Sequence, residues 1–121
     1  AAMEAVSELG PVFDGEQGDE DTARLLTRMA YLESRGDHKA KSDDGAVGII
    51  QIQSPNMALH ALIMSSPTAG MIVGLQMLHA FKKACGGKAL RWIGGYASGR
   101  CGGAPSVARA RCAPLGLCER T

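Results

Sequence analysis

Aromatic residues are scarce in this sequence: one tryptophan, two tyrosines and two phenylalanines make up 4% of the 121 residues. Strand-rich domains draw on aromatic and β-branched residues, whereas close-packed helices suit the Ala, Gly, Leu and Met that are plentiful here. At 45% hydrophobic residues, the chain can bury one core without the help of a metal or cofactor. We therefore expect one mainly helical domain.

Long apolar runs are missing as well. A membrane-spanning helix needs roughly 20 consecutive apolar residues, and the best candidate, residues 69 to 81, is interrupted by a glycine, a glutamine and a histidine. The chain opens on Ala1-Ala2-Met3-Glu4, without the basic segment and apolar run of a signal peptide. We expect a soluble protein with no membrane span, shown either in its mature form or with Met3 as the original start.

The N-terminal end of the chain lacks basic residues, and the C-terminal end has almost no acidic ones. Residues 1 to 21 hold seven acids and no base, and residues 82 to 121 hold eight bases against Glu119 alone. A basic end could face an anionic polymer such as the cell wall, a nucleic acid or a membrane surface, although a solvated face explains it equally well. Because few aromatic residues lie among the bases, nucleic acid is the least expected partner.

Cysteine is confined to the last 40 residues, at Cys85, Cys101, Cys112 and Cys118. The spacings lack the paired CxxC of a structural zinc site, so we expect two disulfides. Three pairings are open, and we favour Cys85 with Cys101 and Cys112 with Cys118 because each closes a short loop. Disulfides would indicate an oxidising compartment; the alternative is buried free thiols in a cytosolic protein.

Residues 1 to 20 are acidic and contain glycine and proline, so we expect an irregular leader after one short helical stretch, and a domain over residues 21 to 121. Within the domain, Ser54-Pro55 and Ser66-Pro67 each offer an N-cap followed by a first-turn proline. The helices expected after the first long one span about residues 55 to 64, 67 to 86, 88 to 97 and 106 to 111.

The first long helix is predicted from Asp21 to about Gly36, with acids in its first turn and apolar residues at helical spacing. Glu33 lies seven, four and three residues after Leu26, Met29 and Ala30. It is therefore expected on the apolar face, near the C-terminal end of the helix. A carboxyl group among apolar neighbours is expected to have a raised pKa, as a general acid requires.

A short β segment is expected after that helix. Asp43-Asp44-Gly45 is a strong turn signal. Residues 46 to 52 are rich in branched side chains but carry Gly48 and Gln51, which favours a strand or hairpin where backbone or ligand approaches closely.

Two blocks of residues together resemble a known enzyme family. The first is Glu33-Ser34, then Ser42 nine residues after the glutamate, then Gly45-Ala46-Val47-Gly48-Ile49-Ile50-Gln51. The second is Gly95-Tyr96-Ala97-Ser98-Gly99. They resemble the lytic transglycosylase motif, in which Glu-Ser is followed by Ser and by Gly-Ala-x-Gly-Leu-Met-Gln, and its downstream Ala-Tyr-Asn-Ala-Gly element. The resemblance covers about residues 22 to 103, and the order and separation of the blocks make it specific.

The resemblance implies a lysozyme-like fold, α+β and predominantly helical, with a small β-hairpin beside the active-site cleft. It implies peptidoglycan glycan strands as substrate and no cofactor. Glu33 would protonate the bond between N-acetylmuramic acid and N-acetylglucosamine, then act as base while the muramic C6 hydroxyl attacks its own anomeric carbon. The product is a 1,6-anhydro sugar, and because the nucleophile is intramolecular no second carboxylate is obligatory.

The resemblance also implies roles for other residues. Ser42 would hydrogen-bond Glu33 or the substrate, Gln51 would contact the sugar, and Tyr96 would fix Glu33 through its hydroxyl and line the cleft. The glycines at positions 45 and 48 would shape the hairpin. The alternatives are that Ser42 is a turn residue and Tyr96 a core aromatic.

This sequence departs from the family pattern in two places. Ala97 replaces the asparagine after the tyrosine, so the polar contact usual there is absent or supplied by Ser98. Gly36-Asp37 replaces a frequent aromatic, which leaves that side of the cleft more polar. Small size and residues 96 to 101 resemble phage-encoded or conjugation-associated members, which implies phage virion or secretion-machine partners and a periplasmic, extracellular or virion location.

Other functions remain open. Asp43 or Asp44 could supply a second carboxylate, as in inverting lysozymes that hydrolyse with water, although turn chemistry is the commoner explanation. A lysozyme-like domain that binds glycan without cutting it is another alternative. His38, His60 and His79 lack metal-ligand spacing, so no metal site is expected.

Overall fold

The computed structural model describes residues 1–53 and 56–121 and places most of them in six α-helices. The mainly helical fold class is confirmed. The helices are α1 (Ala2–Leu9), α2 (Gly18–Ser34), α3 (Met57–Ser65), α4 (Pro67–Cys85), α5 (Ala89–Ser98) and α6 (Pro105–Cys112), followed by a 3-10 turn at Ala113–Leu115. No helix in the described ranges combines the length and the apolar character needed to cross a membrane.

Local capping explains where the helices begin and end. Ser66 accepts a hydrogen bond from the Ala69 amide at 3.0 Å and precedes the first-turn Pro67, as the Ser-Pro signal predicts. Asn56 caps α3 by accepting from the Ala58 amide at 3.0 Å. The Ser54-Pro55 signal proposed for that helix lies outside the described residues.

The core forms around α4, which contacts α1, α2, α3 and α5. Trp92 is fully buried and packs against Phe13, with ring centroids 5.4 Å apart. Phe13 and Val12 are also buried, and α1 packs on α2 and α4. The first 20 residues contain the short helical stretch expected there, α1, and their apolar side chains complete the same core.

The expected hairpin is present in a reduced form. Val47 forms isolated antiparallel bridges with Lys41 and with Ile52, and two backbone hydrogen bonds of 3.0 and 2.9 Å join it to Ile52. No longer strand occurs within residues 1–53 and 56–121. Gly48 explains the brevity, since its φ of 87° turns the chain directly after Val47.

Two disulfides tie down the C-terminal third. Cys85 is bonded to Cys101 and Cys112 to Cys118, which confirms the pairing favoured from loop length. The first bond joins the end of α4 to the loop after α5, and the second closes the turn that follows α6.

Removing the longer cross-link is expected to cost about 3 kcal/mol of unfolding free energy, because the bond joins residues 16 positions apart and restricts the unfolded chain accordingly. The variant Cys85→Ala/Cys101→Ala tests this by urea denaturation. Reductant should destabilise the wild type more than it destabilises the variant, which retains one bond. Equal stability of the two oxidised proteins would contradict the prediction.

Candidate active site

Glu33 lies in the last turn of α2, on the side of the helix that carries the buried Leu26, Met29 and Ala30. Its side chain is 26% exposed. The helix ends directly afterwards, because Arg35 adopts a left-handed conformation with φ 56°. The expected position of Glu33, between the core and solvent at a helix end, is the one that the structure shows.

Ser34 joins this helix end to the loop that follows. Its hydroxyl donates a hydrogen bond of 2.6 Å to the Ile49 carbonyl. The Gly48 amide donates to the Ala40 carbonyl at 2.9 Å, which ties residue 48 to the start of the loop. The Ser of the Glu-Ser pair therefore positions residues 40 to 52 beside Glu33.

Gln51 stabilises the same loop from inside. It has a positive φ of 50°, unusual for a residue with a side chain. Its amide nitrogen donates to the carbonyls of Gly48 and Ala40 at 2.9 and 3.2 Å. With the nitrogen so engaged, the side-chain oxygen is the group of Gln51 suited to accept a hydrogen bond from a sugar.

A polar cleft of about 510 Å³ lies between α2, this loop and the ends of α5 and α6. Of the five residues to which the resemblance gives a catalytic or substrate-binding role, four line it: Glu33, Ser42, Gln51 and Tyr96. Asp44 and Arg111 line it too. A larger and mostly apolar groove of about 720 Å³, beside the N-terminal end of α1, contains none of the residues predicted to act on substrate.

Ser42 and Asp44 form a turn on one wall of the cleft. The Ser42 hydroxyl donates to Asp44 Oδ1 and accepts from the Ala46 amide at 3.0 Å. The hydrogen bond from Ser42, followed by that from the Ala46 amide, lowers the pKa of the Asp44 carboxyl below its usual value. Ser42 thus makes the contacts of a turn residue, and the turn presents an ionised carboxylate to the cleft.

Tyr96, on α5, is largely buried, and this burial raises the pKa of its phenol well above the usual value. Its hydroxyl lies near Gly74 of α4. The hydrogen bond expected between Tyr96 and Glu33 is absent from the contacts of the described residues, and Glu33 Oε1 is instead paired with the guanidinium of Arg111. The phenol stays neutral over the working pH range and can still contact substrate from the cleft wall.

Ser98 does not line the cleft. Its hydroxyl donates to the Gly94 carbonyl at 2.7 Å and accepts from the Arg100 amide at 3.2 Å, so it serves the turn that ends α5. Ala97 does line the cleft. The polar contact missing at Ala97 is therefore not supplied by its neighbour, and this part of the cleft wall is apolar.

Arg111 is the site residue that sequence reasoning missed. Its Nη2 forms an ion pair with Glu33 Oε1, and its Nη1 donates to the Val107 carbonyl at 2.9 Å. A positive neighbour favours the ionised form of a carboxyl group, which opposes the effect expected of apolar surroundings. The signals available were its place in the basic C-terminal region and its position directly before Cys112, and neither points to Glu33.

No metal-binding arrangement is seen in the described part of the chain, where no three His, Cys, Asp or Glu side chains lie together. The reacting groups that the cleft offers are two carboxyls, a phenol, a hydroxyl, a guanidinium and amides. Such a set can move protons and hold a polar polymer.

A helical domain with a glutamic acid at a helix end beside a polar cleft agrees with the lysozyme-like class of glycan-cleaving proteins that the sequence motifs resemble. The model of the transglycosylase SLT domain family matches residues 11–107, most of the chain. The protein belongs to this family, and its activity is that of a peptidoglycan transglycosylase, an enzyme that cleaves glycosidic bonds of the cell wall. No curated protein and no solved structure gives a significant match.

Proposed function

We propose that the domain is a lytic transglycosylase that cleaves the β-1,4 bond between N-acetylmuramic acid and N-acetylglucosamine, with Glu33 as the single acid and base. The observation that carries the proposal is the position of Glu33. Its carboxyl is partly buried at the end of α2, in the same cleft as Ser42, Gln51 and Tyr96. These are the residues that the transglycosylase motif supplies.

The reaction needs one proton to move twice. Protonated Glu33 gives its proton to the glycosidic oxygen while the bond from that oxygen to the muramic C1 breaks. The carboxylate then takes the proton of the muramic C6 hydroxyl as O6 bonds to C1, which closes the 1,6-anhydro ring and restores the acid. An intramolecular nucleophile has a high effective concentration, so one carboxyl group suffices.

Products decide between this reaction and hydrolysis. Purified peptidoglycan digested by the wild type in water enriched in oxygen-18 is expected to yield anhydromuramyl ends without label, identified by mass spectrometry. A known muramidase digesting the same wall is the control and should give labelled reducing ends. Labelled reducing ends from this protein would contradict the proposal.

The second candidate function is a hydrolytic muramidase, and Asp44 is the observation that favours it. Its carboxylate lines the same cleft as Glu33, and its hydrogen bonds with Ser42 and Ala46 favour the ionised form. In an inverting hydrolase, one carboxylic acid protonates the leaving oxygen and a second, ionised carboxylate activates the attacking water. The oxygen-18 experiment gives the labelled outcome if this candidate is correct.

Absence of any soluble product from folded protein would instead favour a glycan-binding structural role. The two disulfides support the further proposal that the domain works in an oxidising setting. That setting would be the periplasm, the cell exterior or a virion. Phage or secretion-machine partners belong to the same proposal.

A further inference from the structure

Arg111 contacts Glu33 from outside the matched part of the chain. The family match ends at residue 107, and Arg111 lies in the last turn of α6. Its side chain is 8% exposed and is held at both ends of the guanidinium, by the ion pair with Glu33 and by the hydrogen bond to the Val107 carbonyl. A buried arginine with these partners has a fixed position.

The end of α6 is itself fixed. Cys112, the next residue, is fully buried and disulfide-bonded to Cys118. From the other side, Arg28 of α2 donates to the Ala110 carbonyl at 3.1 Å. The helix that carries Glu33 and the helix that carries Arg111 are thus joined one residue from the ion pair, which keeps the backbone of Arg111 beside α2.

Other charges in the cleft do not replace that of Arg111. Asp44, from the loop, is a second negative charge, and Tyr96, from α5, is neutral. The long helix α4 contributes Met77, which does not titrate. Among the described residues that line the cleft, Arg111 is the sole cation, and its charge is the one in direct contact with Glu33.

We propose that Arg111 is a positioning residue that holds Glu33 as a carboxylate in the free enzyme and thereby sets the upper pH limit of glycan cleavage. The inference rests on the proposed function, because that limit matters when Glu33 is the acid. Glu33 must be protonated to start the reaction, and the positive charge of Arg111 lowers the pH at which Glu33 takes up its proton. Cleavage falls as pH rises through that value.

Replacing Arg111 by methionine removes the charge and keeps a long apolar stem. Glu33 should then stay protonated to higher pH, and the alkaline limb of the rate profile should move up by about one pH unit. Opposite charges at contact shift carboxyl titration by roughly 1 to 3 units, and partial exposure of Glu33 places the effect at the low end. The maximal rate is expected to fall as well, since the carboxyl loses its anchor.

The assay is the initial rate of soluble muropeptide release from pH 4 to 9, at substrate well below saturation. Arg111→Lys keeps the charge and should keep the limb near that of the wild type. Arg109→Met makes the same charge change on the exposed face of α6 and should leave the profile unchanged. An active Arg111→Met enzyme whose alkaline limb has not moved would overturn the proposal.

A second readout covers the case of an inactive variant. Carbon-13 NMR of the Glu33 carboxyl follows proton uptake directly, and uptake should occur at higher pH in Arg111→Met, or in Arg111→Gln, than in the wild type. Equal titration in a folded variant, or failure of both uncharged variants to fold, would show a structural role and overturn the inference. Wild-type protein that releases no product refutes the proposed function instead, while the NMR comparison still tests Arg111.

Discussion

Glu33→Gln is expected to lower the release of soluble muropeptides at least about 10³-fold. Positioned general acid–base groups contribute about 10² to 10⁴ in rate, and here one carboxyl group serves both proton transfers. Glutamine keeps the size of the side chain and a hydrogen-bond acceptor for Arg111, so the fold should be retained. The measurement is muropeptide release at the optimal pH of the wild type, with circular dichroism as the check on folding.

Glu20→Gln is the matched control. Glu20 lies in the first turn of the same helix, is exposed and faces away from the cleft residues. Its variant should cleave at the wild-type rate. Residual activity of Glu33→Gln within tenfold of the wild type would mean that another group carries the acid step, and Asp44 is the other carboxyl group that lines the cleft.

Gly48→Ala is expected to lower the unfolding free energy by about 3 kcal/mol and Tm by about 10 °C. Gly48 has a φ of 87°, and an added Cβ would overlap Cγ2 of Ile63 on α3. The left-handed conformation costs an alanine roughly 1 to 2 kcal/mol, and overpacking adds about 1 to 3 kcal/mol. Activity should fall too, because the Gly48 carbonyl accepts from the Gln51 amide in the cleft wall.

Gly45→Ala separates the two costs. Gly45 has a similar φ of 90°, but nothing lies within 4 Å of an added Cβ. It should therefore show the conformational cost of about 1 to 2 kcal/mol without the overlap. Thermal unfolding of both variants under the same conditions measures the difference, and equal losses would mean that Ile63 moves aside at no cost.

The pH dependence of the stability of the Ser42–Asp44 turn follows from the hydrogen bonds to Asp44. Ser42 and the Ala46 amide lower the pKa of Asp44. The stabilisation that this carboxylate gives its turn is therefore fully present at pH values above the ordinary pKa of aspartate. It is lost as the pH falls through the lowered pKa of Asp44 in the folded protein. At the pH range of the proposed assays the turn therefore keeps its shape, and changes in rate report on Glu33.

Several elements of the site could be predicted because they depend on neighbours in sequence. Helix α2 follows from its apolar period and its acidic first turn, and that period places Glu33 on the side facing the core. The start of α4 follows from the Ser66-Pro67 cap. The disulfides agree with the pairing favoured for its short loops, one of the three that four cysteines allow.

Other features depended on how distant segments pack. The sequence around Ser98 does not show whether its side chain points into the cleft or towards the backbone. In the structure its hydroxyl is hydrogen-bonded to the backbone of Gly94 and Arg100, at the end of α5. Ser42 lies in the same cleft as Glu33, and its hydroxyl makes the turn contacts with Asp44 and Ala46 that were the alternative to a substrate contact. Hydrogen bonds that short turns can satisfy locally compete with contacts across a cleft.

The sequence by itself determined the family, most of the helices and the place of Glu33 at a helix end, since periodicity and capping act over a few residues. Loop length favoured the disulfide pairing that the structure has. The tertiary structure alone decided what surrounds that carboxyl. Arg111 is 78 residues from Glu33 along the chain, and no local rule relates them. They meet because α6 packs against α2 and a disulfide holds its end, so the charge that controls Glu33 is a product of packing.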